Sequence, residues 1–126
     1  MQWYYGNIEE ETLDNTFFRK VLFTGPHSQL VVMSIPPGEE IGEEVHEGVD
    51  QFLRFEEGEG KVIVNGEEQA VADGDTVIVP DGSRHNVINT SDTKNLKLYT
   101  VYTPPNHPEG TIHKTKAEAD LAEEHH

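Results

Sequence analysis

The stretch from Gly74 to Asn89, GDTVIVPDGSRHNVIN, constrains this chain more than any other. A glycine opens it, and the β-branched run Val77-Ile78-Val79 follows. Pro80 and Gly82 then supply a turn, and His85 and Asn89 come next. Turn residues between two β-branched runs read as a strand, a tight corner and a second strand. The corner delivers one histidine to the start of the second strand. A second such unit, GEEVHEGVDQFLRFEEG, lies upstream from Gly42 to Gly58.

The rest of the chain carries the same punctuation. TFFRKVLFT, residues 16–24, is rich in β-formers and reads as a strand. Gly25-Pro26-His27 breaks it, and His27 reads as a turn residue. Ser28 to Ile35 is the next strand, apolar on both faces through Leu30, Val31, Val32 and Met33, and Pro36-Pro37-Gly38 ends it. Strands follow at 51–55 and 61–64, and Asn65-Gly66 then signals a type I′ hairpin turn, which needs positive φ at both central positions. Further strands are expected at 68–72, 76–79, 87–88 and 96–103. This spacing, without a helical period, predicts an all-β barrel or sandwich. The two ends differ. Residues 1–11 mix Trp3, Tyr4 and Tyr5 with glutamates and predict a leading strand or arm packed on the body or on a second subunit. Residues 104–108 predict an extended arm, and Thr115-Lys116-Ala117-Glu118 fits a capping box ahead of a short helix at 116–123. His125 and His126 read as a tag remnant or frayed end.

At 126 residues the chain is expected to form one domain, 1–126, with a barrel core at about 16–103 and an arm and helix at about 104–124. It has no cysteine, so neither a disulfide framework nor a thiolate metal site can form. No apolar run approaches the ~20 residues of a membrane span. MQWYYGNIEEE lacks the basic and apolar regions of a secretory signal, and a cytoplasmic location is expected. The formal charge of −15 repels phosphate backbones and anionic membranes, so neither nucleic acid nor membrane is an expected partner. The acidic excess reads as a solubility surface or as a field that draws a cationic substrate.

The two units resemble the paired motifs of the cupin superfamily. The second motif is complete: Gly74, five residues, Pro80, one, Gly82, two, His85, three, Asn89. The first normally carries His-x-His, then a Glu and a Gly. Here its frame is Glu44-Val45-His46, four residues, Gln51, six, Gly58, so Glu44 replaces the first His and Gln51 the usual Glu. The chain is also similar to a group of small bacterial and archaeal cupins with a PPGEEIGEEVH start and a PPNHPEGTIHKTKAEA tail, some of them labelled mannose-6-phosphate-isomerase-like. The resemblance implies a cupin barrel (double-stranded β-helix, or jelly roll) with a short C-terminal helix. Carried over by position, the family's metal site implies Glu44, His46, Gln51 and His85 as ligands.

Glu44 and His46, two apart, face the same side of a strand. Two imidazoles and one carboxylate form a facial set that leaves positions open, with the Gln51 amide oxygen as a weak fourth ligand. The implied cofactor is a divalent transition metal, with Zn, Mn, Fe, Ni and Co all compatible. The opposing reading is a cupin that has lost its metal, in which His46 and His85 are polar residues of a barrel mouth that binds an anion or a sugar. Asp50 should point away from Gln51 into solvent. Arg54 should pair with one of the many glutamates rather than reach a substrate anion. Tyr99 and Tyr102 fall on opposite faces of the last strand, one into the barrel. His107 and His113 read as surface residues of the tail, or else close over the barrel mouth as an acid or base.

Three functions follow from these residues. The first is a metal-dependent enzyme acting on a small polar, sugar-like or carbonyl molecule, by isomerisation, lyase chemistry or dioxygenation. The second is a non-catalytic barrel that binds a small ligand. The third, storage, fits poorly because storage cupins carry two barrels. A homodimer is expected in each case, with the aromatic N-terminal segment and the C-terminal arm as exchange elements.

Overall fold

The computed structural model describes residues 2–124, so His125 and His126 lie outside the described residues. In chain order the elements are α1 (Ile8–Asp14), β1 (Arg19–Thr24), β2 (Gln29–Ile35), β3 (Glu44–Val45), β4 (Asp50–Glu57), β5 (Glu59–Val64), β6 (Glu67–Ala72), β7 (Thr76–Val79), β8 (Arg84–Asn89), β9 (Leu96–Thr103), β10 (Ile112–His113) and α2 (Lys116–Glu124). The strands form two antiparallel sheets, ordered β10-β1-β2-β9-β4-β7 and β3-β8-β5-β6. The expected all-β architecture of two packed antiparallel sheets is present, and the short C-terminal helix with it.

Period-2 alternation decides what each strand buries. Leu53 and Phe55 of β4, Val62 of β5, Val87 of β8, and Leu96 and Leu98 of β9 fill the space between the sheets. Three of these strands, β4, β8 and β9, carry buried polar residues toward one end of the barrel. On β4 the inward stripe ends in Gln51, on β8 in His85, and on β9 in Thr100 and Tyr102, all of them buried. Cross-strand register brings these ends together, with Gln51 opposite Tyr102 and Glu44 opposite His85. The fold thus has an apolar middle and one polar mouth.

Turns form where local chemistry demands them. Asn65 and Gly66 both take positive φ, 50° and 86°, as a type I′ hairpin between β5 and β6 requires. The motif residue Asn89 is a brace rather than a ligand. Its amide nitrogen donates to the Ile35 and Lys94 carbonyls, and its oxygen accepts from the Ser91 N–H. At the other end, the Thr115 hydroxyl caps α2 by accepting from Glu118 N at 3.2 Å.

The N-terminal segment departs from expectation. Residues 8–14 form α1 instead of a strand or arm, with Asn7 as N-cap: its side chain accepts from Glu10 N at 3.1 Å. Glu9, Glu10 and Glu11 sit in the first turn, where the helix dipole favours negative charge. No basic residue lies in the last turn. Lys97 of β9 replaces it, donating to the Leu13 and Asn15 carbonyls at 2.6 and 3.0 Å. The helix packs on β2, β4 and β9. That cover explains why β2 is apolar on both faces, with Val32 fully buried yet outside the inter-sheet core. Of the leading aromatics only Tyr4 meets a ring of the body, Phe23, while Trp3 and Tyr5 are 64% and 84% exposed.

Gly58 tests how tightly the barrel is closed. Its φ is +97°, and a Cβ there would lie 2.6 Å from the Asn95 carbonyl oxygen, a backbone atom that cannot swing aside. Gly66 also has positive φ, but nothing lies within 4 Å of its Cβ position. Urea melts should therefore show Gly58→Ala losing roughly 2–4 kcal/mol and Gly66→Ala only about 1 kcal/mol. Equal losses would mean that conformation, and not the close approach, sets the cost.

Candidate metal centre

The centre is assembled by hydrogen bonds between the two motif units. The corner at Pro80–Ser83 closes through Ser83 N donating to the Pro80 carbonyl. It is lashed to the 46–50 segment by three further bonds. Gly82 N donates to the His46 carbonyl at 3.2 Å, Gly48 N to Asp81 Oδ1 at 2.6 Å, and Asp81 N to Asp50 Oδ1 at 2.8 Å. Asp50 does face away from Gln51, as expected, but it caps this corner rather than simply meeting solvent. Arg54 pairs with Glu56 at 3.0 Å, as expected.

One ligand atom each from Glu44, His46 and His85 lies within 4.8 Å of the others. The two imidazole centroids are 5.3 Å apart, and Glu44 Oε1 is 3.6 Å from His46 Nε2. His85 is 4% exposed and its Nδ1 lies 3.0 Å from the Ser83 carbonyl. A carbonyl can only accept, so Nδ1 carries the proton and Nε2 keeps a bare lone pair in the neutral ring. That Nε2 is buried without a hydrogen-bond partner, and so is His46 Nε2. Gln51 donates from Nε2 to the Thr100 hydroxyl at 3.0 Å, which leaves its buried Oε1 without a partner as well. Gln51 shares a small void with His46 and His85, walled by Val49, Val79 and Pro80. Buried polar atoms without a hydrogen-bond partner are costly, and a cation is one chemistry that satisfies several lone pairs at one point.

The carboxylate suits the same role. Burial acts to raise the Glu44 pKa, but the neighbouring His46, then Arg19 and His85, outweigh it and hold the group below its ordinary value. Glu44 is therefore ionised at neutral pH. The cluster of Glu44, His46 and His85, two imidazoles and one carboxylate, is compatible with a metal ion.

A cleft of about 460 Å³ opens beside Glu44 and His46. Its far wall comes from the C-terminal arm, and the expectation of a surface position for His107 is corrected here. Buried Gln29 of β2 clamps the arm with three bonds: Nε2 donates to the His107 carbonyl, and Oε1 accepts from the Asn106 and His107 N–H groups. Held this way, His107 Nε2 sits 3.3 Å from the Tyr102 hydroxyl, whose ring stacks edge-on against His46. Tyr102 is thus the inward tyrosine of the pair, while Tyr99 lies against Phe52. Burial raises the Tyr102 pKa, so its hydroxyl stays protonated. Desolvation, with the Arg19 charge behind it, pushes His107 down to about 3. His113 also lines the cleft, from β10. Arg19 was missed from sequence: a single arginine in TFFRKVLFT gives no sign that it turns inward.

His107 makes the fold pH-dependent with a definite sign. Its pKa in the fold lies below the ordinary histidine value of about 6.5, so the unfolded chain takes up the proton more readily. The contribution is complete above about pH 6.5 and is lost as pH falls toward 3. Between pH 7 and pH 5, the wild type should lose about 1–2 kcal/mol more stability than His107→Gln in urea titrations. Parallel curves for the two proteins would show that His107 is not held neutral.

Residues 31–102 match the family model for the cupin domain. The chain is 48% identical to the uncharacterized protein YrkC of Bacillus subtilis, over 94% of this chain and 66% of that one. It is 41% identical to the uncharacterized protein L612 of Acanthamoeba polyphaga mimivirus, over 88% of this chain and 71% of that one. It therefore spans just under two thirds of the Bacillus relative. Its fold matches the crystal structure of BH2720 from Bacillus halodurans with a TM-score of 0.91 and 47% identity, covering 94% and 93% of the two chains. With the two motif units, the barrel and a family match over more than half of its length, this chain belongs to the cupin family.

Proposed function

We propose that this protein is a metal-dependent cupin enzyme acting on a small polar molecule, sugar-like or carbonyl-bearing, that enters the cleft beside Glu44 and His46. The observation that carries this reading is the convergence of three ligand atoms within 4.8 Å, with both histidine Nε2 atoms buried and without a hydrogen-bond partner. Glu44, His46 and His85 would hold the ion, with Gln51 Oε1 as a weaker fourth donor. Bound there, a divalent metal supplies Lewis acidity toward a carbonyl or hydroxyl oxygen. The chain's own groups do the rest. Ser83 keeps the His85 ring in the ligating tautomer, and the Gln51–Thr100 bond holds the amide so that its oxygen is left over. His107 lines the cleft and, held neutral against the buried Tyr102 hydroxyl, offers an uncharged imidazole for hydrogen bonding to a polar group of a bound molecule.

A second reading has its own support. The first motif holds a neutral amide at Gln51 where the family carries a carboxylate. A weakened donor set suits a barrel that binds a small ligand without turning it over. We further read residues 1–126 as one domain working in the cytoplasm as a homodimer. The exposed Trp3 and Tyr5 are apolar surface that a second copy would cover, and the charge of −15 disfavours nucleic acid as a partner.

Elemental analysis of tag-free protein, purified without added metal, separates the two main readings. The wild type should carry close to one equivalent of a transition metal. His85→Ala should lose it, and Gln51→Ala should bind it about tenfold more weakly, as expected for removal of a weak fourth donor. A wild type that stays empty after reconstitution with Zn, Mn, Fe, Ni and Co would rule out the metalloenzyme and leave the ligand-binding barrel.

A further inference from the structure

We propose that Arg19 is the anion anchor of the cleft, and that the molecule bound there carries a carboxylate which Arg19 holds while another of its oxygens faces the Glu44–His46–His85 group. The second contact rests on the metal reading above; the first rests on Arg19 itself.

Arg19 is 2% exposed, yet it lines the cleft together with Glu44, His46 and His107. Buried arginine is normally paired with a carboxylate. Among the described residues, no carboxylate lies within ion-pair distance of it. Its Nη1 meets His113 Nδ1 at 3.2 Å, across the β1–β10 register that sets the two residues opposite each other. Its Cζ lies 5.3 Å from the Phe18 ring centroid, a packing contact that neutralises nothing. Its Nε is buried with no hydrogen-bond partner. A buried guanidinium that lines a cleft and keeps an unpartnered N–H suits a planar oxyanion, and a carboxylate matches its fork geometry. The positive charge is also felt in the cleft, where it helps to lower the pKa values of Glu44 and His107.

The local charge balance points the same way. Of the two acidic residues lining the cleft, Glu43 is tied to Arg84. Glu44 belongs to the metal group. With a divalent ion in place, Arg19 and the ion make the cleft net positive inside a protein whose overall charge is −15. The bulk field then slows the approach of anions in general, and binding depends on the fixed cation within.

The test uses lactate and lactamide, which share a 2-hydroxyl and differ in the carboxylate. Isothermal titration calorimetry would be run on metal-reconstituted wild type, Arg19→Gln and Arg19→Lys. The wild type should prefer lactate by about tenfold or more, Arg19→Gln should bind the two within about twofold, and Arg19→Lys should fall between, since lysine keeps the charge and loses the fork. Thermal melting of each variant reads folding separately, because a purely structural Arg19 would shift the melting temperature and leave the lactate preference intact. A wild type that binds the two equally, or neither, overturns the proposal. So does an Arg19→Gln variant that keeps the preference. Metal content of the same samples reports on the metal reading independently: empty protein that still prefers lactate keeps Arg19 as anchor and removes only its metal-bound neighbour.

Discussion

The candidate site depends on the hydrogen bonds that lash the Pro80–Ser83 corner to the 46–50 segment. Without them, His46 and His85 would belong to two independent loops. Gly82 N on the His46 carbonyl fixes the backbone of one histidine from the turn that launches the other. Asp81 and Asp50 exchange bonds with the backbone on both sides of the same junction. The Ser83 carbonyl, at the end of that corner, then sets the tautomer of His85. One short turn therefore governs the position, orientation and tautomer of the ring. A site built this way is rigid because the groups that hold it are backbone groups of a closed barrel.

The barrel also sets the electrostatics. Its inward stripes run from an apolar middle to a polar mouth, so every ionisable group there sits on low-polarity packing. Burial acts to raise the Glu44 pKa, and its neighbours, His46 foremost and then Arg19, outweigh it and hold the carboxyl below its ordinary value. The same burial, joined by Arg19, keeps His107 uncharged. One region thus holds an anion, a fixed cation and a neutral imidazole close together. That separation of charge states is what a site for polar chemistry requires.

Much of this was legible in the residues. Gly74, Pro80, Gly82 and His85 announce their corner because turn chemistry is local, and Asn65-Gly66 does the same for its hairpin. The β7 and β9 boundaries are those expected, because β-branched runs flanked by turns leave little freedom. Helix α1 was overlooked although its signals were present: Asn7 three residues before Glu10, and β2 apolar on both faces, which calls for a covering element. Strands β3 and β10 have two residues each, too short to show any period, and they exist only because β8 and β1 pair with them.

The sequence by itself determined the barrel, its turns and the residue types able to bind a metal, because alternation, positive-φ glycines and ligand spacing act within a few residues of one another. Tertiary structure alone decided the cleft. Gln29 reaches His107 across 78 positions, and Arg19 reaches His113 across 94. No local rule marks such pairs, since what joins them is the folding of the C-terminal arm back over β1 and β2. That closure turned an arginine of an ordinary strand and a histidine of a proline-rich tail into walls of one binding site.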